Sequence, residues 1–330
     1  MNKNKLLLLF LSIFHHQILL AQTAKDLGLK EYSFQTKALG RVNFYVSDSL
    51  SHLKKPVLVF LDGSRNESLF TYRKAHDGQE TKFSVIPFDF KKVSKSFHIL
   101  LISKPHTPLF RKLSIDENTP EDSVYHKYLS AEWRIESASK ALKILLKNYK
   151  VDKQKIVVMG YSEGAQVAPR LAVRNPNITH CMAFVGGGLN QLYDEVIRLR
   201  MQAESGQLSH QIATQKIDSL FMDFQKIYAK PNSTKDFWFG HTFKRWSSFT
   251  EIPNIDFYKQ LKIPIYIAQG TADVNTSPLS ADYLRLEFFR LGKNNLTFKS
   301  YSDCDHFFTN QNTGVNILDE VVEAAFNWLN

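Results

Sequence analysis

The chain has 330 residues, 43% hydrophobic and 22% charged, which is a globular composition with apolar material for one large core or two smaller ones. No repeat or low-complexity tract interrupts it, so a disordered or fibrous chain is excluded. The formal charge of +10 comes with no dense Lys/Arg block and no nucleic-acid motif, so nucleic acid is not an expected partner.

Residues 1–21 stand apart. Lys3 and Lys5 open the chain, Leu6 to Leu20 is an apolar run, and Leu19-Leu20-Ala21 ends it with a small residue. This pattern predicts a signal peptide cut after Ala21, hence a secreted or periplasmic protein. A membrane anchor is the alternative, but the run is short and His15, His16 and Gln17 interrupt it. No stable membrane insertion is expected after cleavage. Taking Lys3 and Lys5 from the 42 basic side chains leaves a mature charge of +8, read as a solvated basic surface.

From residue 22 the chain reads as one α/β domain. Tyr32-Phe34 and Val42-Phe44-Val46 alternate as half-buried strands do. Pro56 opens Val57–Leu61, a continuous apolar run suited to a central parallel strand, and Asp62-Gly63-Ser64 ends it. Residues 65–96 read as irregular. Phe97–Ser103 is the next strand. Ile135, Ala138, Leu142, Leu145, Leu146 and Tyr149 recur at helical spacing. Ile156–Met159 is a buried strand, and Ala165–Val173 a helix in which Pro169 predicts a kink or an early stop. Cys181–Val185 is another strand. The alternation then breaks over 189–258, which reads as a helical cap without a core of its own. The rhythm resumes with strand 263–268, helix 278–291, strand 296–301 and helix 314–329. Strands alternating with helices predict a mostly parallel sheet covered on both faces.

Between strand 156–159 and its following helix stands Gly160-Tyr161-Ser162-Glu163-Gly164. Gly-x-Ser-x-Gly in that context predicts a tight turn that lifts the Ser162 hydroxyl above the sheet edge. It also aims the Glu163 backbone N–H, at a helix start, toward a developing oxyanion. A serine hydroxyl needs a base. Strand 263–268 runs into Asp273 and strand 296–301 into His306, in the order serine, acid, histidine. His306 is then the expected general base and acid, and Asp273 orients its ring. Asp303 and Asp305 are rival acids, too close in sequence to His306 to be favoured. The second oxyanion donor is expected from the backbone of Gly63 or Ser64, both left open. Trp238, Phe239 and Trp246 either line an apolar acyl pocket beneath the cap or pack the cap itself. No phosphate loop or His/Cys cluster appears, so no metal and no cofactor is expected. Cys181 and Cys304 are expected as free thiols at opposite edges of the sheet. The sequence carries no signature of oligomeric state.

These segments resemble the α/β-hydrolase superfamily. Gly160-Tyr161-Ser162-Glu163-Gly164 with Ala168-Pro169 is similar to the elbow of bacterial esterase-like and serine-peptidase-like hydrolases, and Gly270…Asp273 and Asp305-His306 to their acid and histidine segments. The resemblance covers about residues 39–329. It implies Ser162, Asp273 and His306 as a catalytic triad, with carboxylic-ester hydrolysis the commonest activity. The chain departs from the pattern in having Asp62-Gly63-Ser64 where a His-Gly-Gly-Gly motif can stand, and Ala165 after the second elbow glycine. Three functions follow: hydrolysis of a small carboxylic ester, favoured; peptide hydrolysis by the same groups, with Glu163 a candidate to bind a free amine; and binding without catalysis.

Overall fold

The computed structural model describes residues 23–329; the expected leader, residues 1–21, lies outside the described residues. In chain order the first elements are β1 (Leu29–Thr36), β2 (Gly40–Ser47), β3 (Lys55–Leu61), β4 (Phe70–Lys74), β5 (Glu80–Ser84), α1 (Phe90–Ser96), β6 (His98–Ile102) and β7 (Phe110–Ser114). Next come α2 (Ser123–Tyr128), α3 (Ala131–Asn148), β8 (Val151–Tyr161), α4 (Glu163–Arg174) and β9 (His180–Phe184). An insertion follows, built of α5 (Gln191–Glu204), α6 (His210–Ala229), β10 (Phe237–Trp238), β11 (His241–Thr242), α7 (Phe243–Thr250) and α8 (Asn254–Gln260). The chain closes with β12 (Ile265–Gly270), α9 (Pro278–Arg290), β13 (Leu296–Tyr301) and α10 (Leu318–Trp328).

Eight strands form one sheet in the order β1-β2-β6-β3-β8-β9-β12-β13. The β1–β2 and β2–β6 pairs are antiparallel and all later pairs parallel. The apolar runs explain the centre. Successive side chains point to opposite faces, so Val57, Val59, Leu61 and Val158 join the core under α3 and α4. Leu58, Phe60, Val157 and Met159 join the core that α10 covers. An unbroken apolar strand therefore needs helices on both faces, and this sheet has them. The fold is that of the α/β hydrolases.

The structure corrects four expectations. Residues 65–96 are not irregular: β4 pairs antiparallel with β5 and parallel with β7 in a small second sheet. All of β5 is exposed, so it lacks the buried alternate face that marks a strand in sequence. Pro169 does not stop α4, which runs on to Arg174. The Ala165 carbonyl that proline leaves without a donor accepts instead from Asn254 Nδ2 (3.3 Å) and Tyr258 Oη (3.4 Å) of α8. The insertion has a core of its own, because Leu192, Val196 and Leu199 of α5 meet Ile217, Phe224 and Ile227 of α6 and Phe243. Its last part, from Phe249 through Ile255 and Tyr258, packs instead into the main core. Finally, Cys181 and Cys304 are free and buried, but not at opposite edges. Only β12 separates β9 from β13, and the two thiols belong to cores on opposite faces of the sheet. Among the described residues no helix is long and apolar enough to cross a membrane.

Candidate active site

Ser162 links β8 to α4 with φ 56° and ψ −116°, a positive φ that non-glycine residues rarely adopt. Such a backbone costs on the order of 1–3 kcal/mol and persists only where its surroundings enforce it. Here they do. The Ser162 N–H donates to the Phe184 carbonyl at 2.9 Å, and the Ser162 carbonyl accepts from the Ala165 N–H at 3.0 Å. The flanking glycines permit the turn. A Cβ on Gly160 would stand 2.1 Å from the Gly164 carbonyl oxygen, and one on Gly164 1.9 Å from that of Leu61.

The loops after β12 and β13 bring the other two side chains to the same rim. A Cβ on Gly270 would stand 2.3 Å from the Cys304 carbonyl oxygen, so only glycine lets these loops approach. Thr271 N–H donates to the Tyr301 carbonyl (3.0 Å) and Ala272 N–H to that of Cys304 (2.9 Å), tying them together. Tyr161 Oη donates to the His306 carbonyl at 2.7 Å and fixes the backbone behind the imidazole. His306 Nε2 lies 2.9 Å from Ser162 Oγ, and His306 Nδ1 lies 2.8 Å from Asp273 Oδ2. Asp273 is itself held: Oδ1 accepts from the Asn275 and Thr276 N–H groups at 2.8 and 2.9 Å, and Oδ2 from Gln269 Nε2 at 3.2 Å. Asp273 and His306 are both buried. Asp305 does not compete. Its carboxylate accepts from the Phe307 and Thr309 N–H groups and from Gln311 Nε2, folding its own loop.

A cavity of about 830 Å³ opens over Ser162. Gly63, Ser64 and Glu163 line it. A Cβ on Gly63 would stand 3.5 Å from Ser162 Cβ and 3.9 Å from Oγ, so the loop after β3 runs beside the hydroxyl. Phe239 and Trp246 line the cavity as well. Trp238 does not, which corrects its expected substrate contact. Its ring packs on the cap core, edge-on to Phe224 at 5.5 Å and stacked on Phe239 at 4.2 Å, and its carbonyl accepts from Trp246 Nε1 at 2.6 Å. The remaining walls come from segments without a sequence signature. Phe83 and Ile86 belong to the small sheet and its exit, and Gln191 and Asp194 to α5. A second hollow of about 480 Å³ lies in the cap beside Arg198, Gln207 and Lys216, and none of the three side chains at the rim lines it.

Directly behind the elbow lies a buried ion network. Glu163 accepts from Arg134 Nη1 at 2.7 Å and from Arg245 Nε at 3.0 Å. Asp62 accepts from Arg134 Nη2 at 2.5 Å and from Lys104 Nζ at 2.6 Å. All five side chains are buried, and three cations face two carboxylates. Glu163 is 1% exposed and committed to two arginines, so it cannot anchor a substrate amine as the sequence allowed. One signal of the network was available. Arg134 falls four residues before Ala138 and eight before Leu142, on the apolar stripe of α3.

Burial alone would raise the Glu163 carboxyl. Arg245, Arg134 and Lys104 together outweigh burial and bring its pKa down to about 2, from an ordinary 4.5. A pKa lowered by folding stabilises fully above the unfolded value and is lost as pH falls through the folded one. Thermal melts should therefore lose stability between about pH 4.5 and pH 2. Glu163→Gln should flatten that segment of the profile. It should also lower stability at neutral pH by about 3–5 kcal/mol, because Arg134 and Arg245 lose their counter-charge in the interior. An unaltered acid limb in Glu163→Gln would show that other groups govern it.

Residues 134–310 match the family described as BAAT / acyl-CoA thioester hydrolase C terminal, a span that contains Ser162, Asp273 and His306. No curated protein matches the chain. Among solved structures, acylaminoacyl peptidase from Pyrococcus horikoshii aligns over 88% of this chain with a TM-score of 0.55 and 11% identity. This chain spans only 40% of that peptidase's length. An α/β hydrolase from a Penicillium species aligns over 91% of this chain and 97% of its own, with a TM-score of 0.53 and 10% identity. An esterase from Pyrococcus furiosus aligns over 94% and 95%, with a TM-score of 0.53 and 15% identity. These likenesses carry the fold, and the family match covers more than half of the chain: the protein belongs to the BAAT / acyl-CoA thioester hydrolase C-terminal family of α/β hydrolases.

Proposed function

We propose that the protein is a secreted serine hydrolase that cleaves a carboxylic ester through an acyl-enzyme. The observation that carries this reading is the continuous chain from Ser162 Oγ through the His306 imidazole to Asp273, with links of 2.9 and 2.8 Å. His306 Nε2 takes the Ser162 proton as Oγ attacks the carbonyl, and Asp273 holds Nδ1–H and steadies the imidazolium. The Glu163 N–H and that of Gly63 or Ser64 receive the oxyanion. His306 then returns the proton to the leaving alcohol, and water, deprotonated by the same imidazole, releases the acid. The family's description extends the reading to acyl thioesters, which pass through the same intermediate. Secretion rests on the leader pattern of residues 1–21. A peptidase passes through the same acyl-enzyme, and the occupied Glu163 removes one basis for that reading.

The experiment is active-site labelling of the mature protein with a fluorophosphonate, followed by peptide mass mapping and a panel of aryl esters, thioesters and anilides. The expected adduct is on Ser162, with ester turnover exceeding anilide turnover. A folded protein that takes no label at Ser162 is a binding protein on a hydrolase scaffold, and the reading fails.

A further inference from the structure

The N-terminal end of α5 contributes Gln191, Asp194 and Glu195 to the cavity wall. Asn190 caps that end, accepting from the Leu192 N–H at 2.9 Å, and its Nδ2 ties it to the Thr250 carbonyl at 2.5 Å. Gln191 and Asp194 are three residues apart and share a helix face. Each holds a buried acceptor oxygen without a hydrogen-bond partner, Gln191 Oε1 and Asp194 Oδ1. Asp194 is 7% exposed, and no cation among the described residues pairs with it. Burial above all, then the charges of Asp273 and Glu195, push its carboxyl well above the usual carboxylate range; the Ser277 N–H and Ser280 hydroxyl oppose this. Glu195 is already paired with Arg198 at 2.5 Å. Of the arginines that line the cavity, Arg245 holds Glu163, Arg73 donates to the Ser114, Ile115 and Glu117 carbonyls, and Arg65 stands exposed on the loop after β3; none of the three pairs with Asp194.

Buried acceptors left unmet are costly, and a buried carboxylate without a counter-charge more so. Both residues line the cavity that also reaches Ser162, where a ligand can supply the missing donors and the missing charge. Asp194 shares this cavity with Ser162 and His306, and the Asp273 charge acts on its carboxyl. We propose that this end of α5 binds a protonated amine of the substrate, with Asp194 as its counter-charge and Gln191 Oε1 as a second acceptor. An ammonium carries three donors and one positive charge, which suits both groups; a neutral hydroxyl meets one oxygen and leaves the carboxylate uncompensated. The inference rests on the reading of this cavity as the substrate site of a serine hydrolase. It transfers the amine-binding role from Glu163 to Asp194.

The test uses nitrophenyl acyl esters in pairs of equal length, one ending in methyl and one in ammonium, with the ammonium placed progressively further from the carbonyl. For at least one pair the kcat/KM ratio of ammonium to methyl ester should exceed unity in the native protein. Asp194→Asn should lower that ratio roughly ten- to hundredfold, and Gln191→Leu should lower it less. Fluorophosphonate labelling of Ser162 is followed in each variant. Should Asp194→Asn not fold, Gln191→Leu carries the test. A ratio at or below unity for every pair, or one that neither variant lowers, overturns the proposal while a labelled Ser162 leaves the hydrolase reading standing. Loss of labelling in the native protein removes the hydrolase reading itself.

Discussion

Ser162→Ala is expected to lower kcat/KM for a short-chain aryl ester by roughly four to six orders of magnitude, with KM little changed. The reason is geometric. The hydroxyl sits 2.9 Å from His306 Nε2, and the imidazole is fixed on its far side by Asp273 at 2.8 Å. Alanine keeps the backbone of the turn and removes only the attacking atom. His306→Ala should lose about as much, since without the base the hydroxyl is a poor nucleophile. The double variant should be no worse than either single one, because the groups act as a unit. Residual turnover above the uncatalysed rate is expected, since the backbone donors beside Ser162 remain. Circular dichroism and thermal melts establish that the variants fold. A Ser162→Ala protein within tenfold of the native rate would mean that the ester is cleaved elsewhere.

Much of this site was legible because the chemistry depends on where strands end. An unbroken apolar run such as Val57–Leu61 or Ile156–Met159 marks a central strand, and parallel strands present all their carboxyl-end loops at one rim. Ser162 and Asp273 each follow such a run, and His306 follows the mixed apolar and polar edge strand β13, so their meeting follows from topology without any knowledge of contacts. The walls around them do not follow. β5 buries no face, so its residues show no alternation, yet Phe83 within it lines the cavity. Trp238 and Trp246 are equivalent as apolar aromatics in sequence. Both pack against the cap core, and only Trp246, carried on α7, also lines the cavity. The ion network joins Asp62, Lys104, Arg134, Glu163 and Arg245, five charges on five separate segments, and no spacing rule links them. Asp194 likewise reads as an ordinary first-turn acid, well placed against the helix dipole. Only burial without a cation beside it distinguishes it.

Gly164→Ala is expected to abolish soluble folding or to cost more than about 4 kcal/mol. Two effects oppose one another at this position. Gly164 lies in the first turn of α4, where alanine is favoured over glycine by up to about 1 kcal/mol in helix propensity. Propensity alone thus predicts a more stable protein. Against it, the new Cβ would stand 1.9 Å from the Leu61 carbonyl oxygen and 2.8 Å from that of Asp62. Both are backbone atoms at the end of a central strand, so no rotamer change relieves the contact. The overlap can be removed only by moving α4 away from β3, which would open the core between Leu61, Val158 and Ala165. Sterics should win by several kcal/mol. Gly63→Ala, on the loop after β3, is the control: its Cβ would meet Ser162 Cβ at 3.5 Å, an ordinary contact, so stability should change by less than about 1 kcal/mol. Urea denaturation of the two variants beside the native protein measures the difference. A Gly164→Ala protein as stable as native would mean that α4 does not pack this tightly against β3, and the strained turn at Ser162 would then lose the constraint that holds it.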